Sequence, residues 1–432
     1  MRLATASTLS AALLLVAGRA GATASTAFAE TSRVAALADA VSARPGDAGS
    51  MFMNPAGLAD ITEPELILNG SFDHLSQWFA RTGEPQNNLG RSFGSFGFAA
   101  ATPMPGPWWL QRVRVGLALD LPAQYVLQVD IPERVDQPVS PVYDSRPNRV
   151  SALGALAIDV FDQLKIGGGV NLTPSLTTPT TVTLVPGRTT SIQNDVEISL
   201  DRDMPLAASP FLGVRAQPFP FLGLSAVYRG SSVSHSLGNQ TTTAGPIVAS
   251  SLVDYLIFWD PSQFVFGASV GPWKGWSVSA DATYSDWFAF ENGFGQPLAM
   301  PFNNTLSVLG GVEWQTLPWL TLRTGGGYEP TPVPEQTGNT NYLGAGTVVV
   351  ALGAGIDLRR LCHAPLVVDF HLRGRLGLEQ SATKNIAQLA DADPTTPGQQ
   401  IDNLGYPGFE SRSSLYQAGL TLTLFVGKEK KR

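Results

Sequence analysis

The chain has 432 residues, a formal net charge of −7 and only 15% charged residues. This acidic balance argues against a nucleic-acid-binding protein and against a basic surface that would dock on a membrane. The 44 glycines and 32 prolines indicate many turns, and the single cysteine, Cys362, excludes an internal disulfide framework.

The first residues have the organisation of a secretory signal peptide. Arg2 precedes a short apolar stretch at 9–16, and A-x-A cleavage sites follow at 22–24 and 27–29. The apolar stretch is too short and too alanine-rich for a membrane anchor. We therefore expect residues 1–29 to be a signal peptide, cleaved after residue 24 or 29.

After this signal the chain has no run of roughly 20 apolar residues, so the sequence offers no transmembrane helix. A membrane location would require a closed barrel, because only a closed sheet satisfies its backbone hydrogen bonds in lipid. Apolar and polar residues do alternate, as in half-buried strands. The alternation is clearest at 112–121, 221–230, 276–287, 365–380 and 415–425.

Connections of two lengths separate the predicted strands. Short turns occur at 161–163, 218–220, 271–275 and 317–319, with a slightly longer one at 359–365. Long polar segments occur at 122–147, 174–206, 236–252, 288–303, 332–343 and 380–411. Short turns at one end and long loops at the other are typical of outer-membrane barrels. Trp276 and Tyr284 lie on the apolar face near opposite ends of one strand, as interfacial aromatic girdles require.

The sequence therefore predicts an all-β fold, a 14-stranded antiparallel transmembrane barrel over residues 62–426 with a short basic tail at 427–432. Its strands are predicted at 64–73, 93–104, 112–122, 148–161, 163–174, 207–217, 221–235, 252–271, 274–290, 304–316, 318–331, 344–358, 364–380 and 412–426.

A barrel of this size has a lumen too wide for strand side chains alone to fill. Residues 30–61 precede the first strand and combine helical and turn character, with a break at Asn54-Pro55-Ala56. We predict that this segment forms a plug, the hatch, inside the barrel.

Three segments resemble the FadL-type family of outer-membrane transporters for long-chain fatty acids and aromatic hydrocarbons. The segment RVAALADAVSARPGDAGSMFMNPAGLADI (33–61) is similar to the family's N-terminal hatch, through a small-residue helix, Asp47-Ala48 and Asn54-Pro55-Ala56. The other two are LRTGGGYEPTPVPEQ (322–336) and DPSQFVFGASVGPWKGWSVSADATYSDWFAF (260–290). The three occur in the family's order and together span nearly the whole mature chain.

The resemblance implies a 14-stranded barrel blocked by its hatch. It also implies that hydrophobic ligands are captured outside and released sideways into the membrane through a gap at a kinked strand. Pro122, which cannot donate a ladder hydrogen bond, follows the segment that aligns with the family's third strand. It is the candidate edge of this lateral opening; alternatively, it only ends the strand.

Four residues are candidates for the ligand path. Met51, Phe52 and Met53 either line the path with soft apolar surface or form the hatch's own core. Arg323 is the candidate to meet an acidic head group, because a guanidinium pairs well with a carboxylate. The alternative is a lumen salt-bridge lattice that holds the hatch, built from Arg323 and the other inward charges Arg112, Arg114, Asp120, Arg229, Asp281, Asp369, Arg373 and Arg375.

The sequence assembles no catalytic constellation. Gly267 to Gly271 match a nucleophile-elbow pattern, but no helix follows, as that motif requires. The four histidines, His74, His235, His363 and His371, lack metal-ligand spacing. We therefore expect a protein that is not an enzyme and needs neither metal nor cofactor.

The expected function is passive uptake of hydrophobic small molecules, fatty acids or aromatic hydrocarbons. We expect a monomer in the outer membrane of a Gram-negative bacterium, in contact with outer-membrane lipid and lipopolysaccharide. The alternative is a general or structural porin without hydrophobic selectivity.

Overall fold

The computed structural model describes residues 30–83, 87–123, 150–177, 180–184, 196–200, 203–244, 247–291, 297–298, 300–338, 340–389 and 405–426. The predicted signal peptide, most of the loop predicted at 122–147 and the C-terminal tail lie outside these ranges.

Fourteen antiparallel strands of the described chain close into a barrel, as predicted. In pairing order they are β1 (Glu65–Arg81), β2 (Asn87–Pro103), β3 (Val113–Pro122), β4 (Ser151–Phe161), β5 (Leu164–Pro174), β9 (Leu206–Phe219), β10 (Leu222–Arg229), β13 (Ser262–Trp273), β14 (Trp276–Asp286), β15 (Thr305–Leu317), β16 (Leu320–Glu329), β17 (Thr347–Asp357), β18 (Leu366–Gly377) and β20 (Gly408–Phe425). The barrel closes where β20 pairs with β1, from Glu65↔Phe425 to Arg81↔Phe409. The short strand β19 (Gln380–Thr383) pairs with the first residues of β20, from Gly408 to Ser411.

Two of the long polar connections, predicted as loops, contain strands instead. A separate five-stranded sheet is formed by β6 (Leu176–Thr177), β7 (Thr180–Leu184), β8 (Val196–Leu200), β11 (Ser232–Ala244) and β12 (Ile247–Asp260). The predictions of loops at 174–206 and 236–252 are wrong because Thr- and Val-rich segments favour strands even when they lack an apolar face. The single strand predicted at 252–271 is also wrong, since it is interrupted at Pro261, which has no N–H for a ladder.

The two ends of the barrel differ. Short connections join β4 to β5, β9 to β10, β13 to β14 and β15 to β16 at one end, which we call the turn end. The connections 104–112 and 358–365 lie at this end too, and the longest connections lie at the opposite, loop end. An exception is the connection between β1 and β2, whose strands extend well past the predicted 64–73 and 93–104 and leave only residues 82–86 between them.

The helices within the described residues are short. They are α1 (Ser32–Ala36), α2 (Leu358–Cys362) and the 3₁₀ helices η1 (Ala48–Phe52), η2 (Pro55–Asp60), η3 (Leu110–Arg112) and η4 (Ile386–Gln388). In the part of the chain that the structure describes, no helix is long and apolar enough to cross a membrane.

The outer surface of the barrel is apolar, as the alternation predicts. On β3, the outward-facing Leu117 is 65% exposed, whereas the inward-facing Asp120 is buried. Aromatic side chains ring the turn end of this surface, where the Trp276 and Trp314 rings stack at 4.6 Å, and Tyr284 lies exposed near the loop end of the same strand as Trp276. An apolar band between aromatic girdles is the lipid-facing surface of a membrane barrel.

The core of the molecule lies in the lumen, where residues 30–61 are packed. Helix α1 contacts β16, β17, β18 and β20, while η2 contacts β3, β4, β5 and β9 on the other side of the barrel. Nearly all residues between Glu30 and Ile61 are buried. The segment therefore spans the lumen from wall to wall.

A charge on the lipid-facing surface should destabilise the barrel according to its depth. We expect Leu372→Arg, midway along β18 and 63% exposed, to lower the free energy of unfolding by about 2–4 kcal/mol, because arginine is costly at the bilayer midplane. Leu378→Arg, just beyond the end of β18, should cost only about 0–1 kcal/mol. Denaturant titration in lipid vesicles measures both, and equal losses would contradict the assigned membrane position.

Candidate functional site

Inward-facing glycines bring the backbone of residues 30–61 against the barrel wall. A β-carbon added at Gly325 would lie 2.6 Å from the Ala38 nitrogen, and one added at Gly311 would lie 2.9 Å from the Leu37 carbonyl oxygen. No side chain fits at such distances, so the backbones approach closely only because these residues are glycine. Eight of the described glycines meet the segment and form what we call the glycine track: Gly116, Gly167, Gly213, Gly223, Gly267, Gly311, Gly325 and Gly353.

The segment follows this track in order around the wall. Ala36 lies at Gly353 on β17, Ser42 at Gly267 on β13, and Leu58 at Gly116 on β3. Residues 36–58 therefore wind along the inner surface from β17 back to β3.

Asn54 is the hydrogen-bonding centre of the predicted Asn-Pro-Ala signature. Its Oδ1 accepts from the Ala56 nitrogen at 3.0 Å and caps η2, while its Nδ2 donates to the Ser42 carbonyl oxygen at 2.7 Å. Pro55 is the first residue of η2, where its missing N–H costs nothing. All three residues are fully buried, so the signature fixes one part of the segment to another and to the wall.

The other predicted residues of the segment are placed apart. Asp47 lines a cavity of about 430 Å³ at the turn end. Met51 and Met53 are buried in apolar clusters, which favours the core alternative for them. The half-buried Phe52 lies edge-on to Phe211, with ring centroids 6.3 Å apart, and borders a small cavity.

A buried ion network on the loop side ties the segment to the wall. Asp39 accepts from Arg373 Nη1 at 2.8 Å and from Arg375 Nη2 at 3.0 Å. Glu30 pairs with Arg373 at 2.6 Å, and Glu329 pairs with Arg375 at 2.8 Å. These five side chains are nearly inaccessible to solvent, so their charges depend on one another.

A second ion network lies on the turn side. Glu313 accepts from Arg33 of the segment at 3.0 Å and from Arg323 of the wall at 2.8 Å. Arg323 also pairs with Asp369. Arg323 thus has two carboxylate partners, which is the placement that the lattice alternative predicts.

Asp60, at the end of η2, adds a third tie. It pairs with Lys165 of β5 and Arg215 of β9. Its side chain is one-third exposed, so this contact is more accessible to water than the two networks above.

An aromatic cluster fills the loop end of the lumen. The rings of Phe290 and Phe302 stack at 4.6 Å, and Trp259 lies edge-on to Phe290 at 5.3 Å. Trp287 is fully buried, and Tyr342 packs perpendicular to Phe302. Sequence reasoning missed this cluster because three of its residues lie in connections predicted as polar loops; the run Trp287 to Phe290 was the available signal.

The connection between β16 and β17 folds inward against this cluster. Gln336 is buried, and its Oε1 accepts from Thr340 Oγ1 at 2.8 Å and from the Tyr342 nitrogen at 3.0 Å. Lys384 Nζ donates to the Gly338 and Thr340 carbonyl oxygens, each at 2.7 Å. Only 7% of the surface of Lys384 is exposed, and this burial lowers its pKa to about 8.

Pro122 ends β3 at the loop side. The ladder with β2 reaches Ser95↔Pro122, whereas the ladder with β4 stops earlier, at Asp120↔Ser151. Residues 124–149 lie outside the described chain, so the lateral opening remains a prediction.

A serine and a histidine do meet in the lumen, which the sequence did not indicate. Ser32 Oγ lies 3.0 Å from His371 Nδ1 and 3.1 Å from Thr421 Oγ1. Both Ser32 and His371 are buried between α1 and the wall, so they anchor the helix. Ser269 of the Gly267–Gly271 pattern lies within β13, with no helix behind it. Among the described residues, no group of three His, Cys, Asp or Glu side chains could hold a metal ion.

No protein-family model and no curated protein sequence matches the chain. Solved structures do match. A Pseudomonas aeruginosa FadL homologue is 16% identical with a TM-score of 0.60, over 92% of this chain and 98% of that chain. The Pseudomonas putida toluene transporter TodX is 13% identical with a TM-score of 0.52, over 91% and 98%. The Ralstonia pickettii toluene transporter TbuX is 15% identical with a TM-score of 0.50, over 92% and 98%.

The closed wall, the apolar outer band and the paired lumen charges define the class of the protein, an outer-membrane β-barrel of a Gram-negative bacterium. Within that class, the chain has the FadL-type fold over nearly its whole length, as the sequence resemblance predicts.

Proposed function

We propose that this protein is an outer-membrane channel for passive uptake of hydrophobic compounds, either long-chain fatty acids or aromatic hydrocarbons. The observation that carries the proposal is the filling of the lumen by residues 30–61, which act as a hatch. Within the described residues the hatch is tied to the wall by both ion networks and the glycine track. A plugged lumen beneath an aromatic cluster suits apolar solutes better than water-soluble ones.

The proposal includes lateral release through the wall, with Pro122 at the edge of the opening. Each CH₂ group that leaves apolar surroundings for water costs roughly 0.8 kcal/mol. A sideways exit from the lumen into the membrane keeps a long apolar molecule out of water throughout. The named functions of TodX and TbuX, which are toluene transporters, support the same class of solute.

The proposed function assigns a separate role to each of four segments of the chain. We propose a cleaved signal peptide at 1–29, the hatch at 30–61, the barrel at 62–426 and a basic tail at 427–432. We also propose that the protein acts as a monomer, surrounded by outer-membrane lipid and lipopolysaccharide.

Loosening the hatch should convert selective uptake into a leak. We expect cells that express the wild type to take up a labelled long-chain fatty acid or an aromatic hydrocarbon but not a hydrophilic sugar. Replacing Asn54-Pro55-Ala56 by Gly-Ser-Gly removes the η2 cap and the contact with Ser42, so this variant should admit the sugar.

The control variant changes Pro105-Gly106-Pro107, in an exposed turn at the same end of the barrel, to Ser-Gly-Ser. It should behave as the wild type does. Free passage of the sugar through the wild type would identify a general porin and refute the proposal.

A further inference from the structure

The connection between β16 and β17 forms a compact cap over the aromatic cluster. We use the name cap for its residues 330–338 and 340–346. Its two ends meet at Glu329 and Thr347, which form the last pair of the β16–β17 ladder. A compact loop whose ends lie side by side can move as one body about those ends, and such loops are frequently functional.

Apolar side chains pack the cap against the cluster. Val333 is 5% exposed and belongs to the same apolar core as Trp287 and Phe302. Tyr342 lies perpendicular to the rings of Phe290 and Phe302, with centroids 6.4 and 5.3 Å away. Trp287 and Phe302 are 0% and 1% exposed. A solute therefore cannot touch these two rings unless a neighbouring part of the molecule moves.

The cap keeps its shape through hydrogen bonds within itself. In addition to the two bonds that its Oε1 accepts, Gln336 donates from Nε2 to the Pro334 carbonyl oxygen at 2.8 Å. Thr331 Oγ1 accepts from the Val333 nitrogen at 3.0 Å. These local bonds move with the cap, so they do not oppose its movement as one body.

Hydrogen bonds from the segment after β18 hold the cap closed. Gln380 Oε1 accepts from the Gly344 nitrogen at 3.0 Å, and its Nε2 donates to the Tyr342 carbonyl oxygen at 3.1 Å. The Asn385 nitrogen donates to the Thr337 carbonyl oxygen at 2.8 Å. These are separate contacts and not part of a strand ladder, so they can break while the barrel wall stays intact.

Lys384 adds a contact that opposes closure as well as supporting it. Its ammonium donates to the Gly338 and Thr340 carbonyl oxygens and lies 5.3 Å from the centroid of the Phe409 ring. Within the described ranges no carboxylate pairs with it within 4 Å, and a buried charge held by neutral acceptors is costly. The lowering of its pKa expresses the same cost. When the cap moves away the ammonium returns to water, so this cost favours opening.

We propose that the cap is a hinged lid, which opens about Glu329 and Thr347 to admit an apolar solute to the aromatic cluster and closes again behind it. Closure removes the apolar surfaces of the solute and the rings from water, which favours the closed position once the solute is inside. This inference rests on the proposed function and adds to it a gated entry step at the loop end.

The first test locks the cap with a covalent bridge. In a Cys362→Ser background, Thr337→Cys and Asn385→Cys place two thiols at the contact between these residues, and a short bismaleimide closes the pair if oxidation does not. We expect the bridge to lower the uptake of labelled toluene by expressing cells about tenfold or more, because a lid that cannot open limits the rate. Reduction of the disulfide should restore uptake.

The matched control bridges two residues outside the cap. Ser381→Cys and Glu410→Cys, in the same background, join paired residues of β19 and β20. This bridge should leave toluene uptake within about twofold of the unbridged protein, because it does not hold the lid.

Movement of the cap is also measurable without a transported solute. Val333→Cys, in the same background, carries its thiol on the buried face of the cap, so a membrane-impermeant maleimide reaches it only when the cap opens. Gln380→Ala removes two bonds that hold the cap and should speed labelling about fivefold or more. Ser381→Ala, at an exposed position of the same strand, should leave the labelling rate unchanged.

The outcomes separate the inference from the proposed function. If the wild type takes up toluene but the cap bridge leaves uptake unchanged, or the control bridge lowers it equally, the inference is wrong and the proposed function stands. If the wild type takes up no apolar solute, the proposed function fails, and labelling alone decides whether the cap moves. Equal labelling rates in Gln380→Ala and Ser381→Ala would overturn the inference in either case.

Discussion

Replacement of Asp39 by Asn should release the hatch while the barrel stays folded. Asp39 is shared by Arg373 and Arg375, at 2.8 and 3.0 Å. Removing one member of a buried ion pair typically costs about 3–5 kcal/mol, because the partner charges remain buried. Asn occupies the same volume and tolerates the left-handed backbone of Asp39, whose φ is 67°, so only the charge changes.

The measurement is single-channel conductance in planar bilayers, combined with sugar leak into expressing cells. We expect Asp39→Asn to show frequent open events that are rare in the wild type. Asp60→Asn is the control, since Asp60 also ties the hatch to the wall but is one-third exposed; exposed pairs contribute about 0–1 kcal/mol. Equal conductance in the two variants would show that the buried network does not hold the hatch.

A single methyl group on the glycine track should also displace the hatch. In Gly325→Ala the new β-carbon would lie 2.6 Å from the Ala38 nitrogen, and neither backbone can move away easily. Overpacking of this kind costs about 1–3 kcal/mol. We expect a lower denaturation temperature and a faster sugar leak.

Gly310→Ala provides the matched control at the same height of the wall. Gly310 neighbours Gly311, the residue that pairs with Gly325, and faces outward. A β-carbon there meets only the Ser279 carbonyl oxygen, at 3.5 Å, which is ordinary contact. If Gly310→Ala leaks as much as Gly325→Ala, the effect comes from weakened strands and not from the track.

The strands of the barrel wall were predictable because apolar and polar side chains alternate along them with a period of two residues. On β14 and β18 most outward residues are apolar and most inward residues are small or polar, so the alternation alone assigns strand and face. The five-stranded sheet was not predictable in the same way. The segment 232–244 is rich in Ser and Thr, so no alternation of apolar and polar residues marks it as a strand. It becomes a strand by pairing with other segments, and the sequence alone does not reveal that pairing.

The site was less predictable because it depends on which inward residues meet. Arg229 and Arg323 are both inward-facing arginines in the sequence pattern, yet Arg323 has two carboxylate partners, whereas among the described residues no carboxylate pairs with Arg229 within 4 Å. That difference arises from distant segments. Likewise, a glycine within a strand normally indicates a weakened strand. Its role as a packing position becomes clear only when the segment beside it is known. The recurrence of glycines at inward positions was the usable signal in the sequence.

The glycine track also bears on assembly. Its eight glycines are distributed over the wall from β3 to β17, and residues 36–58 reach them in order. All eight contacts form together only when the wall has its full circumference and each strand its native register. The N-terminal segment therefore fits only a barrel with the native number of strands and the native register. A barrel that closed with one hairpin too few, or with a strand shifted by two residues, would place side chains at the positions where the segment needs glycine.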